Sequence, residues 1–168
     1  MRKWIAAIVL AATGSIANAA VSPFSLPWMN SNPRSSYTSA SHADGIFVIE
    51  AYFLGCPYCN QNAQNVNDLA TDYVTEARVQ VLDVGIDRVD ADYATWISRH
   101  SPNHPVLKDA SRVLIRQLGT TGYPSTYVLN CRGEVKYSGE GGPWEAAEKA
   151  AIRAAIDVLL AEECTPLP

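Results

Sequence analysis

Cys56-Pro57-Tyr58-Cys59 places two of the chain's four cysteines three positions apart, around a proline and a tyrosine. Sulfurs at that spacing can do three kinds of chemistry. They can form a reversible dithiol, supply half of a zinc site, or close an inert staple. Zinc takes four ligands, commonly as two close pairs. The remaining cysteines, Cys131 and Cys164, are singletons, and His42, His100 and His104 lack the spacing of a zinc finger. A metal site is therefore not expected, and a redox dithiol is the favoured reading. His100 and His104 read as a solvated loop pair, since Pro102 and Pro105 interrupt any helix between them.

The flanking residues indicate how the pair would be held. Ile46 to Phe53 is almost wholly apolar, β-branched or aromatic and predicts a buried strand. Residues 57 to about 75 predict a helix with Ala63, Val66, Leu69, Ala70 and Tyr73 on one face. Cys56 then stands at a helix N-terminus with Pro57 as the first helical residue, where free backbone N–H groups and the helix dipole favour a thiolate. Cys56 is expected to be exposed and to attack; Cys59, one turn on, resolves the mixed disulfide.

The chain around this centre divides into three. Residues 1–19 read as a secretory signal peptide: Arg2 and Lys3 precede an apolar run, and Ala17-Asn18-Ala19 marks a cut after Ala19. The run is short for a bilayer span, and no later stretch is long enough, so stable membrane insertion is not expected. Residues 20–44, rich in Ser, Pro and Asn, form an N-terminal extension with at most a short strand or hairpin. Residues 45–164 are one domain. The chain has 168 residues and a net charge of −4 without a basic cluster, which argues against nucleic acid as a partner. No prosthetic cofactor is called for.

Further strands are predicted at 79–86 and in a hairpin, Ser125 to Asn130 and Glu134 to Gly139, turning at Cys131-Arg132-Gly133. Helices are predicted at 91–99, 109–118 and 143–162, the last opened by Pro143 with Glu145 and Glu148 near its positive end. The order β-α-β-α-α-β-β-α implies an α/β fold, a mixed central sheet with helices on both faces.

With those residues in place, the chain resembles the thioredoxin-fold thiol–disulfide oxidoreductases over roughly residues 45 to 162. Cys56-Pro57-Tyr58-Cys59 matches the glutaredoxin form of their motif. Glu50 stands six positions before Cys56, where the family often places a buried acid. Gly122-Tyr123-Pro124-Ser125-Thr126 resembles the family's cis-proline loop. Phe24-Ser25-Leu26-Pro27 and Asn130-Cys131-Arg132-Gly133-Glu134-Val135 are similar to stretches of periplasmic thioredoxins of the cytochrome-maturation type. A weaker likeness is to disulfide isomerases of plasmid conjugation systems. The chain departs from the family at Gly55, where a tryptophan often stands, and at Tyr123, which is bulkier than usual.

The resemblance implies thiol:disulfide interchange on periplasmic or other secreted proteins. Cys56 and Cys59 would be the catalytic pair, Glu50 the proton carrier for Cys59, and Pro124 part of the site, with Tyr58, Tyr123 and Pro124 meeting the substrate. Partners would be proteins with cysteines or disulfides and a redox protein that recharges the dithiol; the protein is expected as a monomer. In this topology the last helix ends near the turn at Cys131, so a structural disulfide between Cys131 and Cys164 is one expectation; two free thiols or an intermolecular bond are the others. The competing functional readings are a non-catalytic binding or chaperone module and a copper-handling protein.

Overall fold

The structure, a computed structural model, describes residues 20–164. The expected signal peptide lies outside the described residues. Seven strands form one sheet: β1 (Ser25–Trp28), β2 (Ser35–Thr38), β3 (Ile46–Tyr52), β4 (Val79–Gly85), β5 (Val106–Lys108), β6 (Ser125–Leu129) and β7 (Val135–Glu140). Four helices accompany them: α1 (Pro57–Asp72), α2 (Asp90–His100), α3 (Val113–Gln117) and α4 (Ala146–Ala161). The strand order is β2-β1-β5-β4-β3-β6-β7. β3, β4 and β5 run parallel, while β6 is antiparallel to β3 and β7 to β6. This is the thioredoxin fold.

β3 sits near the middle and is buried along its whole length. Its alternating side chains divide the core. Phe47, Ile49 and Ala51 pack with Phe24, Leu26 and Tyr37 of the lead segment and with Leu114 and Ile115 of α3. Ile46 and Val48 face the other way, onto Val66 and Leu69 of α1 and Ile152, Ile156 and Leu159 of α4. A third cluster gathers Tyr52, Cys56, Cys59 and Ala63 with Tyr93 and Trp96 of α2. The two-residue period of the strand thus places helices on both faces.

Several elements differ from the sequence-based expectation. β5 was not expected. A three-residue strand is too short to show a period, and its place is set by pairing to β4 rather than by propensity. The helix expected from 109 begins only at Val113. Asp109 remains outside it, and its carboxylate accepts the N–H groups of Val113, Leu114 and Ile115 at 2.8, 3.0 and 3.0 Å. Arg112 turns the chain there with a left-handed φ of 58°. The final helix starts at Ala146, not Pro143, because Trp144 is held out of it by its own hydrogen bonds to α1 and β6. His100 ends α2 instead of lying in a loop, and His104 is buried rather than solvated.

Residues 25–38 form a β1–β2 hairpin that extends the sheet beside β5. At the other end, Gly133 turns with φ of +75° and lies so close to the Val21 carbonyl that a Cβ would sit 2.1 Å from its oxygen. Only glycine suits that approach.

Candidate active site

The chain leaves β3 at Tyr52 and enters α1 at Pro57, which puts Cys56 at the N-cap. Pro57 at the first helical position has no N–H to orphan. Cys56 and Cys59 are joined as a disulfide, with Cα atoms 5.2 Å apart. The Cys56 sulfur accepts the Cys59 backbone N–H at 3.1 Å. That donor is one of the unpaired N–H groups of the helix start, so the sulfur already lies where a thiolate would be stabilised.

Exposure differs from expectation. Cys56 is 2% exposed, as is Cys59. Phe53, Leu54 and Tyr123 pack against the cluster that contains both sulfurs. The Tyr123 ring meets Phe53 edge-on at 5.6 Å. Gly55, Pro57 and Tyr58 remain open, Tyr58 at 53%. The sulfurs thus lie just beneath an apolar rim. Pro124 follows Tyr123 through a cis peptide bond and is buried at the start of β6.

A clamp not foreseen from the sequence holds the redox turn. Asn60 Nδ2 donates to the carbonyls of Leu54 and Cys56, each at 2.8 Å. Its Oδ1 accepts from Arg99 Nη1 at 2.6 Å and contacts His100 Nε2 at 2.9 Å. Burial first, and the Arg99 charge second, hold His100 below the usual imidazole range, so the neutral ring uses its Nε2 hydrogen here. Asp87 Oδ2 accepts the Leu54 N–H at 2.9 Å from the other side.

Glu50 lies under this turn, 3% exposed. Asn62, three residues past Cys59 on the same buried face of α1, donates to Glu50 Oε1 at 2.6 Å. Thr126 Oγ1 donates to Oε2 at 2.5 Å from β6, where it is the direct cross-strand partner of Glu50. Trp144 closes the ring: its Nε1 donates to Thr126 Oγ1 at 2.8 Å and its N–H to Asn62 Oδ1 at 3.0 Å. Desolvation raises Glu50 to about 7, with the Thr126 and Asn62 hydrogen bonds opposing and the Asp83 charge adding to the rise. Thr126 and Trp144 also line a cleft of about 190 Å³ with Pro124, Glu140 and Glu148, which brings the outside within one hydroxyl of the buried carboxyl.

Cys131 and Cys164 lie far from this site in sequence and are joined to each other. They link the β6–β7 turn to the chain just past α4. Arg78 reinforces the same end by donating to the carbonyls of Leu159, Leu160 and Glu162.

The structure therefore brings Cys56, Cys59 and Tyr123 together at the start of α1, with Glu50 held by Asn62 of the same helix. Asn60, Asn62, Thr126, Trp144 and Asp87 were missed. Asparagines in a helix carry no motif, and Thr126 was read only as the end of the stretch resembling a cis-proline loop and as part of the strand that follows; its hydrogen bond to Glu50 depends on register with a residue 76 positions away.

Comparisons with known proteins agree with this architecture. No curated protein matches the chain. Among solved structures, a protein assigned as the thiol:disulfide interchange protein DsbE of Chlorobium tepidum superposes with a TM-score of 0.73 at 19% identity, covering 84% of this chain and 95% of that one. A protein assigned as a thioredoxin of Neisseria meningitidis gives 0.69 at 24% identity, covering 84% and 93%. A secreted Mycobacterium tuberculosis disulfide oxidoreductase homologous to E. coli DsbE gives 0.65 at 14% identity, covering 80% and 95%. At these identities the likeness is one of fold. Residues 17–138, well over half of the sequence, match the AhpC/TSA family, and the chain belongs to that family.

Proposed function

We propose that this protein is a thiol–disulfide oxidoreductase that exchanges disulfides with secreted proteins through Cys56 and Cys59. The observation that carries the reading is the position of the pair: a disulfide at a helix N-cap whose first sulfur already accepts a helix N–H. In the oxidising direction, a client thiolate attacks the Cys56 sulfur and the Cys56–Cys59 bond breaks. Cys59 leaves as a thiolate and takes the proton of Glu50. A second client thiolate then attacks the client sulfur of the mixed disulfide and releases Cys56 as a thiolate beside the Cys59 N–H. The client loses two electrons and the protein's disulfide gains them. Reduction is the reverse, and the redox partner that recharges the dithiol sets the direction.

Glu50 suits this proton transfer because its affinity is raised to about 7, near the pH at which it would work. Tyr58, Tyr123 and Pro124 would meet the client, with Phe53 and Leu54 completing an apolar rim. An extended chain laid along it would present its sulfur in line with Cys56. Export to an oxidising compartment such as the periplasm fits the sequence of residues 1–19 and the second disulfide. Among the described residues no helix is long and apolar enough to cross a membrane.

The test is thiol-dependent reduction of insulin, followed by turbidity, with a measured reduction potential for the pair. The parent should accelerate the reaction and Cys56→Ser should lose all acceleration. Cys59→Ser should accumulate mixed disulfides. In the reduced parent Cys56 should alkylate before Cys59, with a small reagent favoured over a bulky one because of the rim. Acceleration that survives in Cys56→Ser overturns the proposal.

A further inference from the structure

Behind the redox turn lies a second buried group of titratable side chains that the exchange chemistry above does not use. Asp83 on β4 is the direct cross-strand neighbour of Glu50. His104, in the link from α2 to β5, brings Nε2 to 3.3 Å from Asp83 Oδ1, with the two side chains 3% and 2% exposed. The other carboxylate oxygen, Oδ2, accepts the Trp96 Nε1 hydrogen at 2.9 Å.

The hydrogen bonds around His104 fix where its hydrogens sit. Asn103 Nδ2 donates to the Asn67 carbonyl at 3.2 Å and to Thr71 Oγ1 at 2.8 Å. Thr71 spends its own hydrogen on the Asn67 carbonyl, so its oxygen can only accept from Asn103. Both amide hydrogens of Asn103 are thereby used, and its Oδ1, 3.2 Å from His104 Nδ1, is an acceptor. Nδ1 therefore carries a hydrogen. Nε2 and Asp83 Oδ1 approach at ion-pair distance, and neither has a hydrogen-bond partner among the described residues. If neither held a proton, a bare lone pair would face a bare carboxylate in a dry interior, an unfavourable arrangement.

We propose that Asp83 and His104 hold one proton between them as a buried carboxylate–imidazolium pair, and that this pair is a positioning element that lets Glu50 ionise when Cys59 takes its proton. The proposal rests on the reading of Glu50 given above. When Glu50 gives up its proton, a second buried carboxylate appears beside Asp83. The imidazolium offsets the Asp83 charge at that moment. The other titratable groups facing these residues are Tyr52 of β3, whose buried hydroxyl has no partner among the described residues, His100 of α2, held neutral by burial, and Tyr137 of β7. None of them supplies a cation against Asp83. The lead segment contributes to the geometry, since Asn30 Nδ2 donates to the His104 carbonyl at 2.8 Å and Oδ1 accepts the Val106 N–H at 2.9 Å.

Two near-isosteric variants separate this from a purely structural role. In His104→Gln a donor remains but the charge is gone, so Asp83 opposes ionisation of Glu50. The pH midpoint of the Cys59-dependent exchange rate should rise, by on the order of one unit. In Asp83→Asn the amide can still accept from Trp96 and donate to Nε2, but the nearer negative charge is removed, so the midpoint should fall. Both shifts should vanish in a Glu50→Gln background. Nitrogen NMR of the parent should find hydrogens on both ring nitrogens of His104 near neutral pH, and Asp83→Asn should leave only one. If the two variants shift the midpoint in the same direction or not at all, or if His104 Nε2 is bare in the parent, the proposal is overturned. If Glu50→Gln alone leaves the parent's profile unchanged, the role given to Glu50 has failed, and the His104 nitrogens still decide whether the pair shares a proton.

Discussion

Glu50, proposed above as the proton carrier for Cys59, also makes stability depend on pH. Its affinity for a proton is raised from the ordinary glutamate value of 4.5 to about 7 in the folded chain, mainly by burial. The folded state therefore holds a proton that the unfolded chain releases at lower pH. Stability from this group is complete below about pH 4.5 and declines as pH climbs to about 7, by on the order of 3 kcal/mol. Glu50→Gln keeps an acceptor for Asn62 or Thr126 but has nothing to ionise. Urea unfolding across this range should show the decline in the parent and a nearly flat profile in the variant, with the variant gaining relative to the parent above pH 7. An identical slope in both would remove Glu50 as its source. The sequence alone suggests an unpaired buried acid here; the structure gives it two hydrogen bonds, which hold it in place without cancelling the cost of burial. The Cys56–Cys59 pair and the burial of Glu50 were legible because cysteine spacing and apolar neighbours point to them. Asn62, Thr126, Asp83 and His104 were not, since each matters only through a partner that strand register or a loop brings near.

At the scale of elements, short pieces are held by specific side chains rather than by propensity. α3 spans five residues, too short to be stable alone. It forms because Asp109, 1% exposed, receives three of its N–H groups, while Leu114 and Ile115 anchor it in the core. Asp109→Ala leaves those buried donors unpaired and should cost about 2 kcal/mol, read as a lower urea midpoint at unchanged slope. A loss within error would mean that packing of Leu114 and Ile115 alone carries the turn. The same logic explains why the starts of α3 and α4 were misplaced by pattern. Periodicity locates the apolar face of a helix, but Asp109 and Trp144 use their side chains to delay the start of the helix that follows. Long segments such as β3, α1 and β4 were legible because buried apolar residues recur along each of them.

The whole molecule is fastened at the end opposite its redox turn. The Cys131–Cys164 bond spans 33 positions of sequence and encloses β7 and α4. In the chain-entropy account a loop of that length stabilises by about 3–4 kcal/mol. Replacing both cysteines by serine should lower the thermal midpoint accordingly, while insulin reduction by the folded variant stays unchanged, because Arg78 still holds the end of α4 through three carbonyls. Loss of exchange in a folded double variant would show that the two disulfides communicate.

The β1–β2 hairpin meets the rest of the sheet along a narrow seam. One register pair, Trp28 with Leu107, joins β1 to β5, supplemented by the Met29 N–H on the Val106 carbonyl at 2.7 Å. Small as this seam is, it covers the outer margin of a strand that would otherwise offer free N–H and C=O groups to any passing chain. Phe24, Leu26 and Tyr37 shield apolar surface on the same side. The hairpin thus serves as a guard against clumping as much as a part of the core. A chain lacking residues 20–44 should self-associate in light scattering at concentrations where the parent does not, and should do so through added strands rather than through new disulfides.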